Sequence, residues 1–185
     1  MAETKVSTRY ANSLLDLTSG KGNLQEISDD LELVLTAIRT SSDLRNFLES
    51  PIVKQEVKQS ILSEIFRNKI KSDTLSFIEF IVEKNREYIL SSIIEKFLEL
   101  RDAKLGIARV EVKTAFDFTD EQKENLRKRL ENIFSYKETH LSFIVDKTVL
   151  GGFIAKVRDT VYDASVKHQL EVLRKEFLKG NVQLN

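Results

Sequence analysis

The run Gly106-Ile107-Ala108-Arg109-Val110-Glu111-Val112-Lys113-Thr114-Ala115-Phe116 decides the fold. Ile107, Arg109 and Glu111 share one parity, and Ala108, Val110, Val112, Thr114 and Phe116 share the other. That two-residue period is a half-buried strand. Before it, the apolar residues recur at three and four. No glycine falls between Gly22 and Gly106, and the only proline is Pro51. Such a stretch, rich in helix formers, predicts consecutive helices. The chain therefore changes period at Gly106, and the fold class is α+β.

Working back from Gly106, a long sixth helix carries Ile89, Leu90, Ile93, Ile94, Phe97 and Leu98 to about Leu105. Asn85, before it, suits a left-handed position at the end of a fifth helix that Ser72 opens. That fifth helix is unusual, because Leu75, Phe77, Ile78, Phe80, Ile81 and Val82 surround it instead of forming one stripe. It is either central to the bundle or partly covered by another molecule. Val57, Ile61, Leu62, Ile65 and Phe66 make a fourth helix. A short third helix holds Leu44, Phe47 and Leu48, is capped by Ser42, and is closed by Pro51. Asn23 and Glu26 have the spacing of a capping box, so the second helix starts at Leu24. The first runs from about Lys5 to Thr18, with Val6, Tyr10, Leu14 and Leu17 on one stripe and Gly20 just beyond.

Working forward, Thr119 and Gln122 form another capping box and open a helix with Leu126, Leu130, Ile133 and Phe134. Leu141, Phe143 and Val145 alternate as a strand. Gly151-Gly152 introduces a further strand, Phe153 to Val157. Asp163 is placed to cap a last helix whose stripe, Val166, Leu170, Leu173 and Phe177, should pack over the small sheet, with Gly180 stopping it. The expected architecture is a six-helix N-terminal bundle over residues 1–105 and a C-terminal β-α-β-β-α unit over residues 106–185.

The chain has 185 residues, with 29 Lys plus Arg against 29 Asp plus Glu, and 41% of its residues are hydrophobic. It is net −2 before Gly106 and +2 from Gly106 onward. A protein that grips nucleic-acid backbones needs a basic surplus, so no nucleic-acid partner is expected. With no cysteine and only His140 and His168, thiolate and histidine-rich metal sites are excluded; no metal and no cofactor are expected. The N-terminal residues carry Glu3, Lys5 and Arg9 without an apolar core, and read as neither a secretory signal nor a transit segment. The mainly apolar stretch from Leu75 to Val82 is far short of the ~20 residues a membrane span needs.

Catalytic constellations are sparse. Asp163, Ser165 and His168 supply the residue types of a hydrolase triad, but within a turn or two of one helix, where they read as a cap and solvated neighbours. Gly151-Gly152 lacks the lysine and hydroxyl residue that end a phosphate-binding loop. Lys123, Arg127, Lys128 and Arg129 alternate with Glu121, Glu124 and Glu131, the pattern of a solvated, ion-paired helix face. No catalytic residue is assigned.

The order of parts resembles the delta-subunit family of bacterial F-type ATP synthase, whose mitochondrial members are called oligomycin-sensitivity-conferring protein. The resemblance rests on Arg9-Tyr10-Ala11 with Leu14, on Phe47-Leu48 with Pro51 and Lys54, on Asn85-Arg86, and on Val112 with Thr114-Ala115. Its most specific stretch is Val145-Asp146, Leu150-Gly151-Gly152-Phe153, Asp159, Asp163, Ser165-Val166 and Leu170. Ser50, Lys147, Val149 and Arg158 depart from the family's habit, at turns and strand edges.

The resemblance implies a non-catalytic stator subunit, present as one copy per complex, in the machinery of ATP synthesis and hydrogen ion transport. The N-terminal bundle would bind the N-terminal segment of an alpha subunit on the catalytic head. Its groove would lie between the first and fifth helices, lined by Tyr10, Ala11, Leu14, Ile78, Ile81 and Val82. The C-terminal unit would hold the C-terminal ends of the b subunits of the peripheral stalk. The implied location is the cytoplasmic face of the bacterial inner membrane, reached only through partners. A helical adaptor of another multiprotein complex is the alternative that the bundle alone would permit.

Overall fold

The computed structural model describes residues 2–134 and 136–178. In chain order the elements are α1 (Ala2–Lys21), α2 (Leu24–Thr40), α3 (Ser42–Glu49), α4 (Gln55–Phe66), α5 (Ser72–Glu83), α6 (Leu90–Leu105), β1 (Ile107–Thr114), α7 (Asp120–Phe134), β2 (Glu138–Val145), β3 (Phe153–Val157), β4 (Thr160–Asp163) and α8 (Val166–Leu178). The fold is α+β, and the chain divides into two compact units between Arg101 and Asp102.

The core of the first unit draws on α1 through α6. Leu31, Val34, Ile78, Ile81, Val82, Leu90, Ile93, Ile94 and Phe97 are all fully buried there. Each such side chain contributes about 1.5–3 kcal/mol by leaving water. Beneath the α3–α4 turn lies a buried ion pair. Lys58 Nζ stands 2.6 Å from Glu87 Oε1 and also donates to the Leu48 carbonyl at 3.0 Å. It ties the end of α3 and the start of α4 to the 3-10 turn Glu87–Ile89 that leads into α6.

The helix boundaries expected from sequence shift where chemistry elsewhere in the chain intervenes. Helix α1 continues through Gly20 to Lys21, because Gly22, at φ +73°, supplies the left-handed end. Asn23 makes no side-chain capping bond; its amide donates to Asp73 at 3.2 Å. Ser41 caps α3 in place of Ser42, accepting from the Leu44 amide at 3.2 Å. Helix α5 starts at Ser72, as expected, but Ser72 does not cap it. Asp30 of α2 does so from outside, accepting from Lys71 N at 2.8 Å and Thr74 Oγ1 at 2.7 Å. Asn85 takes the expected left-handed conformation, at φ +52°.

In the second unit the strand order is β2-β1-β3-β4, with β1 and β2 parallel and the other pairs antiparallel. Ala108, Val110, Val112 and Thr114 are buried, the parity expected of β1, although the strand ends before Phe116. The Thr119–Gln122 capping box forms reciprocally, at 2.9 and 3.3 Å, and sends Leu126 and Leu130 of α7 into the core. Strand β4 is a correction to the expected β-α-β-β-α order, which becomes β-α-β-β-β-α. Its four residues pair with β3 across the two-residue turn Arg158-Asp159, where Arg158 sits at φ +52° without glycine.

The last helix differs most from expectation. Ser165, not Asp163, caps α8: its hydroxyl accepts from His168 N at 3.2 Å, while Asp163 accepts from Ser165 N at 2.9 Å. No residue of α8 is buried. Val166, Leu170, Leu173 and Phe177 are exposed, so the expected packing of this stripe over the sheet is absent. Gly180, expected to stop the helix, lies outside the described residues.

Three stability outcomes follow from this packing. Lys58→Met strands the Glu87 carboxylate and should cost about 3–5 kcal/mol in urea denaturation, whereas Lys58→Met with Glu87→Leu should recover most of that loss. A double variant as unstable as the single one would show that the pair itself, not the stranded charge, carries the effect. Gly152 sits at φ +76°, and a Cβ there would collide with the Ala164 carbonyl. Gly152→Ala should therefore destabilise the chain by about 2 kcal/mol or more. Gly20→Ala, in open space within α1, should stabilise it by about 0.5–1 kcal/mol.

Candidate partner groove

Helices α1 and α5 run side by side and leave a groove of about 410 Å³. Helix α1 contributes Ser13, Leu14, Leu17, Thr18 and Lys21; helix α5 contributes Asp73, Ser76, Phe77 and Phe80; Ile27 of α2 closes the floor. Leu17 and Phe80 are 61% and 42% exposed, large apolar side chains left facing solvent.

Polar contacts bound one end of this region and aromatic contacts the other. At one, Asp73 holds Lys21 at 3.1 Å and Asn23 at 3.2 Å, fastening the end of α1 to the start of α5. At the other, Tyr10 and Phe80 meet edge to face with ring centroids 6.2 Å apart. Lys84 lies 5.3 Å over the Phe80 ring, and Arg9 lies 5.7 Å from the Tyr10 ring. The Lys84 ammonium is held above its ordinary range by its hydrogen bond to Glu83, then by the charge of that carboxylate. The groove thus has an apolar middle and cationic side chains beside its aromatic end.

The residues expected to line the groove fall mostly beneath it. Ala11, Ile78, Ile81 and Val82 are 0% exposed and belong to the bundle core. Leu14, 4% exposed, reaches both core and groove, and Tyr10 is half-buried at the rim. The correction is one of helical phase. On α5, Thr74, Ile78 and Ile81 face inward at spacings of four and three, while Phe77 and Phe80 form a second stripe rotated from the first. That Phe77–Phe80 pair was the available signal for the accessible face. On α1, Leu17 follows Leu14 by three and turns outward.

Asp163, Ser165 and His168 do not form a catalytic arrangement. His168 engages Ser165 through its backbone amide. Burial alone would raise the Asp163 carboxyl, but hydrogen bonds from Ser165, with His168 and Lys167 nearby, outweigh it and leave the group below its ordinary value. These contacts turn the chain from β4 into α8. Among the described residues no group of three or more potential ligands could hold a metal ion, and no helix is long and apolar enough to cross a membrane.

Comparison with known proteins places this architecture. The family model described as "ATP synthase delta (OSCP) subunit" matches residues 6–177. A protein of Chlorobium phaeobacteroides (strain BS1), "ATP synthase subunit delta", is 34% identical over 174 residues, covering 94% of this chain and 96% of that protein. One of the same name from Prochlorococcus marinus (strain AS9601) is 34% identical over 168 residues, covering 91% and 93%. A chain in the cryo-EM structure of the Toxoplasma gondii mitochondrial ATP synthase hexamer shares the fold with a TM-score of 0.75 at 23% identity, covering 93% of this chain and 97% of that one. With the match spanning both units, the chain belongs to the ATP synthase delta (OSCP) subunit family.

Proposed function

We propose that this chain is the non-catalytic stator subunit of a proton-translocating F-type ATP synthase, one copy per complex, linking the catalytic head to the peripheral stalk. The observation that carries the reading is the α1–α5 groove, where Leu17, Phe77 and Phe80 offer apolar side chains to an incoming helix. An amphipathic helix with anchors three and four residues apart fits such a groove. The occupant is the N-terminal segment of an alpha subunit, and Leu14 with Tyr10 forms the edge of its seat. Ala11, Ile78, Ile81 and Val82 support the groove from below.

The C-terminal unit holds the ends of the b subunits. The uncovered stripe of α8 supports this reading, since Leu170, Leu173 and Phe177 lie exposed along one helix. The subunit would then meet the membrane only through its partners, at the cytoplasmic face of a bacterial inner membrane. A tether carries load through many modest contacts, so it needs apolar surfaces rather than an isolated reactive site.

Binding of a synthetic peptide of the alpha subunit's N-terminal segment, measured by calorimetry alongside thermal unfolding, tests the groove. Leu17→Asp should weaken binding by about tenfold or more while changing stability by no more than about 0.5 kcal/mol. Ala11→Leu, which overpacks a buried site, should instead lower stability by about 1–3 kcal/mol. Unchanged peptide affinity in Leu17→Asp would place the seat elsewhere. For the stator role, removing this chain should leave ATP hydrolysis by the isolated head intact and detach the head from the membrane sector. Loss of hydrolysis in the isolated head would overturn the assignment.

A further inference from the structure

Strand β2 forms one edge of the sheet, and among the described residues nothing pairs with its outer side. Its phase follows from the register. Glu138 N donates to Gly106 O and Asp146 N to Thr114 O, with Ile107 opposite Glu138 and Thr114 opposite Val145. In a parallel ladder with this register, Glu138, His140, Ser142 and Ile144 spend their amides and carbonyls on β1. Thr139, Leu141, Phe143 and Val145 therefore point theirs outward. An eight-residue edge with no proline, lysine or bulge is a template for another strand.

Two further features make this edge a seat. Between it and α7 lies a hollow of about 350 Å³, lined on the strand side by Thr139, His140, Leu141 and Phe143 and on the helix side by ion-paired residues including Lys123 and Arg127. Lys123 stands 5.8 Å over the Phe143 ring. At the hollow's base, Thr139 is 3% exposed and its hydroxyl oxygen is buried without a hydrogen-bond partner. A buried hydroxyl left unpaired is unfavourable, so the site favours an occupant that brings it a donor or acceptor.

We propose that the β2 edge receives an extended polypeptide segment of a partner protein, which adds to the sheet as a fifth strand. Alternate residues of that segment face the hollow, as in any strand. Opposite Leu141 and Phe143 the segment carries apolar side chains, and opposite Thr139 it carries a hydroxyl or amide side chain. Main-chain hydrogen bonds to the four outward residues supply affinity, and the hollow supplies selectivity. This seat takes a strand rather than a helix, and it does not depend on the α1–α5 groove or on the uncovered stripe of α8.

The test uses the full chain and a soluble synthetic peptide with threonine followed by valine at every second position, lysines between. Site-resolved amide hydrogen exchange should slow at Thr139, Leu141, Phe143 and Val145 when the peptide is in excess. Amides at His140, Ser142 and Ile144, already in the ladder, should not change. N-methylating the peptide on alternate amides should abolish the effect in one phase and spare it in the other. Thr139→Val should keep the chain folded yet weaken the peptide roughly two- to fivefold, the worth of one cross-strand hydroxyl pair. No slowing at saturating peptide, or equal binding by both N-methylated forms, overturns the proposal. Slowing that tracks protein concentration without peptide also overturns it, since the occupant would then be a second copy.

Discussion

The buried pair of Lys58 and Glu87 sets the form of the first unit. The contact is 2.6 Å long, and the lysine's remaining reach goes to the carbonyl of Leu48. A charge taken out of water is tolerated only where it is matched and hydrogen-bonded. The end of α3, the start of α4 and the turn before α6 must therefore meet at one point. Apolar packing alone would permit these segments to slide, since interdigitated side chains of similar size repack at modest cost. The ion pair does not slide, and the left-handed Asn85 at the end of α5 stands two residues before Glu87. The groove-bearing helix thus ends beside a fixed corner, which limits how far its C-terminal turn can shift against α1.

Much of this fold is legible in the order of residues because its determinants are local. The capping box at Thr119–Gln122 needs residues three apart, the parity of β1 needs neighbours two apart, and both form as read. What is not legible depends on distance along the chain. Asp30 reaches across from α2 to cap α5, more than forty residues away, a contact that no local spacing announces. Asn23 likewise gives its amide to Asp73. Strand β4 is not legible because four residues are too few for an alternation to show. Its turn also uses an arginine with positive φ where glycine or asparagine would be the usual signal.

The groove was legible in its location and not in its lining. Periodicity finds an apolar stripe but does not say whether that stripe meets the core or a partner, since both use the same side chains. On α5 the two stripes coexist: Ile78 and Ile81 inward, Phe77 and Phe80 toward α1 and solvent. A helix with apolar residues on more than one face is either central to its bundle or leaves one face for another molecule, and on α5 Phe80 stays exposed. The last helix teaches the reverse lesson. Its single stripe reads as core by pattern alone, yet no residue of α8 is buried.

Helix α8 is joined to its unit through its cap and the Val166 N to Gly151 O hydrogen bond, with few apolar contacts behind it. A segment so lightly held opens locally at low free-energy cost, long before the β1-centred core does. Proteolytic turnover begins at such openings, because a protease needs an extended strand of substrate in its cleft. A molecule seated along the exposed α8 stripe would close that route. The weak docking of α8 therefore makes this helix the expected first point of proteolytic attack on the free chain.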